Sequence, residues 1–468
     1  MPNHGVFVRQ AATSVSTPNV AECGIPFVIG TAPVQSAENP AGAGVPVLCT
    51  SWAEAVEKLG YSNDWSKYSI CEMMYAHFKM FGCQPIICCN LLDPAKMSEA
   101  VAAADIDVVN HQVKLSIDAI DDASLVVKAA GGTGAAYTKG TDYTVDYVDE
   151  SMVIELLSGC AGYGSAKVNI AYKKITTTSI NAAAIVAGLE NIELCMTTLG
   201  IVPDLICAPG FSDQSTVAAA MAVKAEGING MFKAKAVVDI SANSYTAAIT
   251  AKNSGAYTDA HIVCWPYGKL GDLMFHASTL AVGRIAATDV SNGSIPYESP
   301  SNKILPIDSL CLSDGSEVRM TLAQANALNA AGIVTSINFM GGHVLWGNYT
   351  GCYPASTDVK DYFIPVSRMF GWVGNSLIKS FWAKLDKPMN RRLIDSILDS
   401  ANIWLNGLVG QGYLLGARVE MLESENPVTN LMAGIIKLHV YMTPPSPAQE
   451  IDFVLEYDAD YVSAALQG

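Results

Sequence analysis

Two hydrophobic patterns alternate along this chain, and one interrupts the other. From about residue 24, short apolar runs alternate with amphipathic stretches: Ile25 to Ile29, Trp52 to Leu59, Tyr68 to Phe81 and Ile86 to Leu92. That order is the grammar of an α/β domain. Ser51 followed by Glu54 forms a capping box that starts the helix at Trp52. Between residues 105 and 175 the pattern turns to β, with segments His111 to Ile117, Ser124 to Lys128, Tyr143 to Val148, Met152 to Leu157 and Lys167 to Tyr172 set between Gly-rich or acidic turns. After Ile175 the α/β order resumes. Ile180 to Leu199, Gln214 to Ala225 and Ser244 to Lys252 read as helices, and Asp204 to Cys207, Ala234 to Ile240 and His261 to Trp265 as strands. The β segment is therefore expected to be a domain inserted into an α/β domain.

The fold class expected is α/β multidomain. Residues 1–20 read as an N-terminal linking arm, 21–104 with 176–332 as the α/β core, and 105–175 as an outer β-sandwich-like insert. Residues 333–449 read as an α+β domain with a long helix from Arg392 to Leu408, and 450–468 as a C-terminal strand and arm. A loop-rich stretch runs from Asp289 to Leu312. The two ends are too short to fold alone. Val6, Phe7 and Val8 form a short extended segment, and Ile451, Phe453 and Leu455 alternate with Asp452, Val454 and Glu456 at the period of a half-buried strand. Such segments need another sheet to satisfy their backbone groups.

At 468 residues, half of them hydrophobic, the chain can bury more than one core. Its formal net charge of -16 argues against a nucleic-acid partner. From Asp105 to Glu150 nine acidic residues stand against three lysines, which makes the insert anionic and solvent-facing. Met1 to Gln10 lack the charged start and apolar run of a signal peptide, and no stretch supplies 18 consecutive apolar residues. The product is expected to be soluble, made in the cytoplasm and not inserted in a membrane.

Motifs for chemistry are missing. The twelve cysteines spread from Cys23 to Cys352 read as reduced, buried thiols, and Cys83, Cys88 and Cys89 lack the paired spacing of a zinc site. Gly410, Gly412 and Gly416 follow a helix and read as its exit and a strand start, not a nucleotide loop; Gly131, Gly132 and Gly134 have no following Lys-Ser or Lys-Thr pair. No nucleophile elbow occurs. The turn from Ala208 to Asp213, where an α/β enzyme would hold a ligand, carries Ser212 but no partner group in sequence. No catalytic residue, metal or cofactor is expected. A degenerate hydrolase binding a ligand near Ser212 is one alternative; a tail-associated carbohydrate- or receptor-binding module with exposed aromatics in the insert is another.

The last third carries Gly341-Gly342-His343-Val344-Leu345-Trp346-Gly347-Asn348-Tyr349-Thr350, then Asp361 to Arg368, Pro388-Met389-Asn390, Gly412 to Gly416, Asn426-Pro427, a strand from Gly434 to Tyr441 and Pro444 to Ile451. In this order the landmarks resemble contractile tail sheath proteins, whose first motif reads close to G-G-x-x-x-W-G-x-R-T; Tyr349 stands at the arginine position. Asp361 to Arg368 is similar to the family's strand leading to a basic residue. The resemblance implies a central domain similar to subtilisin without its catalytic residues, an outer inserted domain, and an inner domain built with both chain ends. It also implies subunits that stack as hexameric rings in a helical sheath around a tail tube, with baseplate and tail terminator proteins as further partners, in a virion tail or tail-like particle assembled in a bacterial cytoplasm. The metastable extended sheath would contract to drive the tube through a cell envelope. Terminal arms, here Val6 to Val8 and Ile451 to Leu455, would add strands to neighbouring sheets.

One charge anomaly remains. From Lys360 to Arg392 seven basic residues stand against Asp361 and Asp386. Lys384, Lys387, Arg391 and Arg392 are the expected tube-facing set.

Overall fold

The computed structural model describes residues 19–466. Val6, Phe7 and Val8 lie outside the described residues. An eight-stranded mixed sheet forms the body. Its strands are β1 (Pro26–Gly30), β2 (Pro46–Cys49), β3 (Ile86–Asn90), β4 (Leu205–Cys207), β5 (Lys235–Asp239), β6 (His261–Cys264), β7 (Ile333–Asn338) and β8 (His343–Trp346). The spatial order is β8-β7-β6-β5-β4-β1-β3-β2. The six central strands run parallel, and β2 and β8 close the edges antiparallel.

A parallel sheet covered on both faces needs strands that are apolar at every position, and β1 and β3 are buried throughout. Phe27 and Ile29 pack with Ile87 and Cys89 on one face, while Val28 and Cys88 serve the other. Adjacent Cys88 and Cys89 thus point to opposite sides of the sheet, as period-two geometry requires, and cannot share a metal.

Between β3 and the next body helix, the chain makes two smaller sheets. Ser98–Asp107 pairs antiparallel with Lys167–Ile175, which also takes Ala119–Ile120 and Val126–Ala129. Ser151–Leu156 lies between Gln112–Ser116 and Tyr143–Val148. They enclose their own core, including Val113, Val127, Met152, Ile154 and Val168. The β region begins at Ser98, ahead of the boundary expected at 105. That strand's side chains, many of them alanines, are exposed or half-buried along its length, so it carries no alternation to read. Polar contacts seat the region on the body: Ser62 Oγ donates to Glu150 (2.6 Å), Tyr68 OH to Asp118 (2.6 Å), and Lys67 pairs with Asp118.

Helix α1 (Ala277–Ser291), which the sequence reading does not mark, runs through the body and extends three residues into the stretch expected to be loop-rich from Asp289. Ten of its fifteen residues are buried, including Ser278, Thr288 and Asp289, so it shows no polar face. The run Ala182–Leu199 is long and apolar enough by composition to cross a membrane. Here it packs Ile185, Leu189, Ile192 and Cys195 into the body, while Glu190 and Glu193 bind Lys224.

The C-terminal part is built on α2 (Ile364–Phe381) and α3 (Arg391–Gly410), with a two-stranded antiparallel sheet of β9 (Gly416–Glu420) and β10 (His439–Thr443) packed on α3. Asn390 caps α3 through Leu393 N at 2.9 Å. The segment from Asp361 to Arg368, expected as a strand, enters α2 instead: Pro365 sits in its first turn, where its fixed φ and missing N–H fit. Ile451 to Tyr457, expected as a strand, forms none within this chain and pairs with no sheet. A short helix, α4 (Ala459–Leu466), follows.

Candidate assembly site

The first described residues and the last domain share one small core. Ala21 and Cys23 pack with Met369, Trp372 and Val373 of α2, Leu405 and Leu408 of α3, and Val419, Val440 and Met442 of the β9–β10 sheet. Ala21 N donates to Ser376 Oγ (2.9 Å), and Trp372 Nε1 donates to Ala21 O (2.9 Å). The N-terminal segment of the described chain is thereby tied to α2.

Beneath this core lies an ionic network that the sequence does not announce. Arg368 is 5% exposed; its guanidinium donates to Asp289 Oδ1 (2.9 Å) and Asp204 Oδ2 (2.6 Å), and contacts Cys23 Sγ at 3.2 Å. Asp204 also accepts from Ile25 N (2.8 Å). Burial works against the Arg368 charge, and Asp289, Cys23 and Asp204 outweigh it, raising the group well above its ordinary value. Cys23, Asp204 and Asp289 offer ligand atoms close enough for a metal, but the guanidinium already joins all three. Arg368 therefore leaves the basic face expected from Lys360 to Arg392. Lys360 leaves it too, held by Asp358 and Asp361 at 3.0 and 2.9 Å. What remains is local: Lys384 is half-buried at the turn after α2, and Lys387, Arg391 and Arg392 are exposed before and in the first turn of α3, with Arg391 Nε paired to Asp395 at 2.9 Å. Trp382, Leu385 and Met389 stand exposed among them.

The β9–β10 sheet has an apolar and a polar face. Ala417, Val419, Val440 and Met442 turn to the α3 core, whereas Arg418 lies over the Tyr441 ring at 3.8 Å. Among the described residues neither strand has a second strand partner; Asn402 of α3 takes Val419 N and O, at 2.8 and 2.9 Å, on the outer edge of β9, so the edge left open is that of β10. A sheet of only two strands is marginal and offers free amides and carbonyls to another strand. The matching segment is the chain's own C-terminus: Ile451, Phe453 and Leu455 are 72%, 81% and 93% exposed. Exposed apolar side chains gathered in this way mark a contact surface.

At the turn after β4 the polar side chains are engaged with one another and with the start of α1. Ser212 is buried, donates to Asp239 Oδ2 (2.8 Å) and accepts from Asp239 N (3.1 Å). Asp239 also accepts from Ser278 N (2.8 Å), and Glu72 accepts from His276 N and pairs with His276 Nδ1, both at 2.7 Å. Since His276 is the residue before α1, the two carboxylates anchor that helix's free N–H groups. The Ser, Asp and His of this corner are thus engaged with helix capping. In the region of residues 98–175 the exposed large apolar side chains are Val109 and Val148, while its tyrosines are half-buried or in the core.

Burial lowers the His276 imidazole, but Glu72 opposes it, and the balance raises the group from 6.5 to about 9. A histidine raised in the fold contributes fully below about pH 6.5 and loses that contribution as pH climbs through about 9. The stability gap between wild type and His276→Gln is therefore expected to narrow by about 2–3 kcal/mol between about pH 6 and pH 9. Urea denaturation at several pH values measures it; a constant gap would contradict the pairing.

The fold as a whole is that of contractile sheath subunits. The sheath of the PVC extracellular contractile injection system in its contracted state superposes with a TM-score of 0.61 at 15% identity, covering 98% of this chain and 99% of that one. The contracted helical sheath of the anti-feeding prophage gives 0.60 at 16% identity, covering 98% and 100%. In sequence the chain is similar to the tail sheath protein of Burkholderia phage BcepMu, 25% identical over 485 aligned positions that cover 98% of this chain and 97% of the phage protein. No protein-family model matches the chain. The resemblance to contractile tail sheath proteins read from the last third extends over nearly the whole length.

Proposed function

We propose that this chain is the structural subunit of a contractile tail sheath, assembling as stacked hexameric rings around a tail tube and shortening from a metastable extended state to drive the tube through a target envelope. The observation that carries this reading is the complement held within one chain: an open-edged two-stranded sheet on α3, and a C-terminal segment with alternating apolar residues and no sheet of its own. Ile451, Phe453 and Leu455 of one subunit add a strand to the β9–β10 sheet of the next, with Val6, Phe7 and Val8 as a second arm. Strand addition supplies main-chain hydrogen bonds for affinity and alternate side chains for register. Because donor and acceptor are different surfaces, the contact does not close on itself and propagates as a helix.

In this reading residues 21–97 and 176–346 form a body similar to subtilisin without its chemistry, the strands Ile333–Asn338 and His343–Trp346 belonging to its sheet and not, as the boundary expected at 332 had it, to the last domain. The β region faces outward from the tube, and α2, α3 and the β9–β10 sheet with both ends form the inner domain. Tail tube, baseplate and terminator proteins are the partners, and a virion tail or tail-like particle is the location after assembly in a bacterial cytoplasm. Contraction is a rigid-body repacking between two arrangements of the same subunits.

Lys384, Lys387, Arg391 and Arg392 face the tube. Their clustering at the α2–α3 turn, away from the internal pairings of Lys360 and Arg368, supports this placement. Electron microscopy of the chain assembled with its tube protein tests function and face together: tube-filled sheaths are expected from wild type, and empty sheaths from the variant with all four residues changed to glutamine. Tube-filled sheaths from that variant would remove the electrostatic face, and no sheath from wild type would remove the function.

A further inference from the structure

The segment between β10 and the C-terminal arm is neither free linker nor packed core. After Thr443, Pro444 is buried and Pro445 and Pro447 are half-buried, while Ser446, Ala448 and Gln449 are exposed; from Glu450 to Val462 the chain is exposed without a break. The last recorded tie to the body is a single hydrogen bond, Tyr349 OH donating to Gln449 Oε1 at 2.6 Å.

Tyr349 is a rigid post for that bond. Its backbone bridges Phe363, and its ring stacks on Tyr353 at 3.8 Å and 6° and on Phe363 at 5.5 Å and 14°. An open cleft of about 1010 Å³ is lined on the body by residues that include Trp346, Tyr349 and Ala330 and on the other side by Pro445 to Ile451. The segment therefore walls a cleft and is not packed into the body along its length.

We infer that residues 444–449 are a releasable strap that sets the reach of the C-terminal arm, a device that rests on the sheath reading above. Strapped down, the arm starts at Glu450. Released, it gains six residues, about 20 Å at the extended spacing of the chain. The prolines keep the freed segment extended, so that the gain is reach and not slack coil. A tether already inserted in a neighbour needs this allowance when two subunits change their relative position by rigid-body motion. The attachment matches that role, with one hydrogen bond at the distal end and apolar prolines at the proximal end.

The test pins the strap reversibly without touching its latch. Ala330→Cys and Ala448→Cys place thiols on opposite walls of the cleft at two exposed alanines. Cys352→Ser removes the native thiol that is not buried. Bis-methanethiosulfonates of graded length then link the pair, and reductant frees it. In the unassembled chain the pair is expected to link, and adding Tyr349→Phe, which deletes only the hydroxyl, to lower the yield. Failure to link, or a yield unmoved by Tyr349→Phe, would overturn the strap whether or not tubes form. In assembled tubes the linked strap is expected to abolish contraction under mild denaturant and reductant to restore it; linked tubes that shorten as fully as reduced ones would overturn the release. Absence of tubes from the unmodified chain would instead count against the sheath reading, leaving the linking result to decide the strap.

Discussion

Arg368→Ala is expected to destabilise the chain by about 3–5 kcal/mol, the usual consequence of leaving buried charges without their partner. The magnitude follows from the surroundings: the guanidinium is almost wholly enclosed, and its removal strands Asp289, which is fully buried, and Asp204, which is nearly so. A domain-scale stability of about 5–15 kcal/mol makes that a large fraction of the total. Arg368→Lys keeps the charge but loses the fork that reaches two carboxylates at once, and a smaller loss is expected. Urea denaturation followed by tryptophan fluorescence is a direct measure, since Trp372 lies one helical turn from Arg368 and holds the N-terminal segment. A loss below about 1 kcal/mol, the range of an exposed pair, would show that the network does not hold α2 to the N-terminal segment and the body.

The second large effect concerns assembly and leaves the monomer intact. Changing Ile451, Phe453 and Leu455 together to aspartate is expected to abolish tubes while shifting the unfolding midpoint little, because these side chains are exposed in the single chain. Each contributes about 1.5–3 kcal/mol when buried in a neighbour, and each of the roughly five main-chain bonds about 1 kcal/mol. The aspartates reverse the first contribution outright. Sedimentation velocity separates tubes from monomers. Tubes formed by the triple variant would exclude the C-terminal arm as a donor strand.

What the sequence made legible was whatever carried its own periodicity. The helix expected from Arg392 to Leu408 is observed from Arg391 to Gly410, because its caps and amphipathic stripe are local. The strand expected from Tyr143 to Val148 is found at those residues. Helix α1 escaped because its buried side carries Ser278, Thr279, Thr288 and Asp289 while Ala287 and Val290 are not buried, which leaves no hydropathy stripe, and the strand from Ser98 to Asp107 escaped because exposure on both faces leaves no alternation.

Arg368 shows a different failure. Counting charges along the chain grouped it with Lys360 and Arg392, yet Ile364 and Trp372 stand four residues to either side, and that helical spacing was the available signal that it faced inward. Its partners Asp204 and Asp289 lie 164 and 79 positions away, beyond any local pattern. The alternation of Ile451 to Leu455 was legible as strand character, but a strand needs a partner, and within the single chain this segment pairs with none.

The central claim is that the arm of one subunit completes the sheet of another. Cryo-electron microscopy of tubes grown from the intact chain, at a resolution that follows the backbone, tests it most directly. The account predicts Ile451 to Leu455 as a further strand along the open edge of a neighbour's β9–β10 sheet, with the three apolar side chains turned toward that neighbour's α3. An arm folded onto its own subunit, or left free while rings stack through other surfaces, would contradict it.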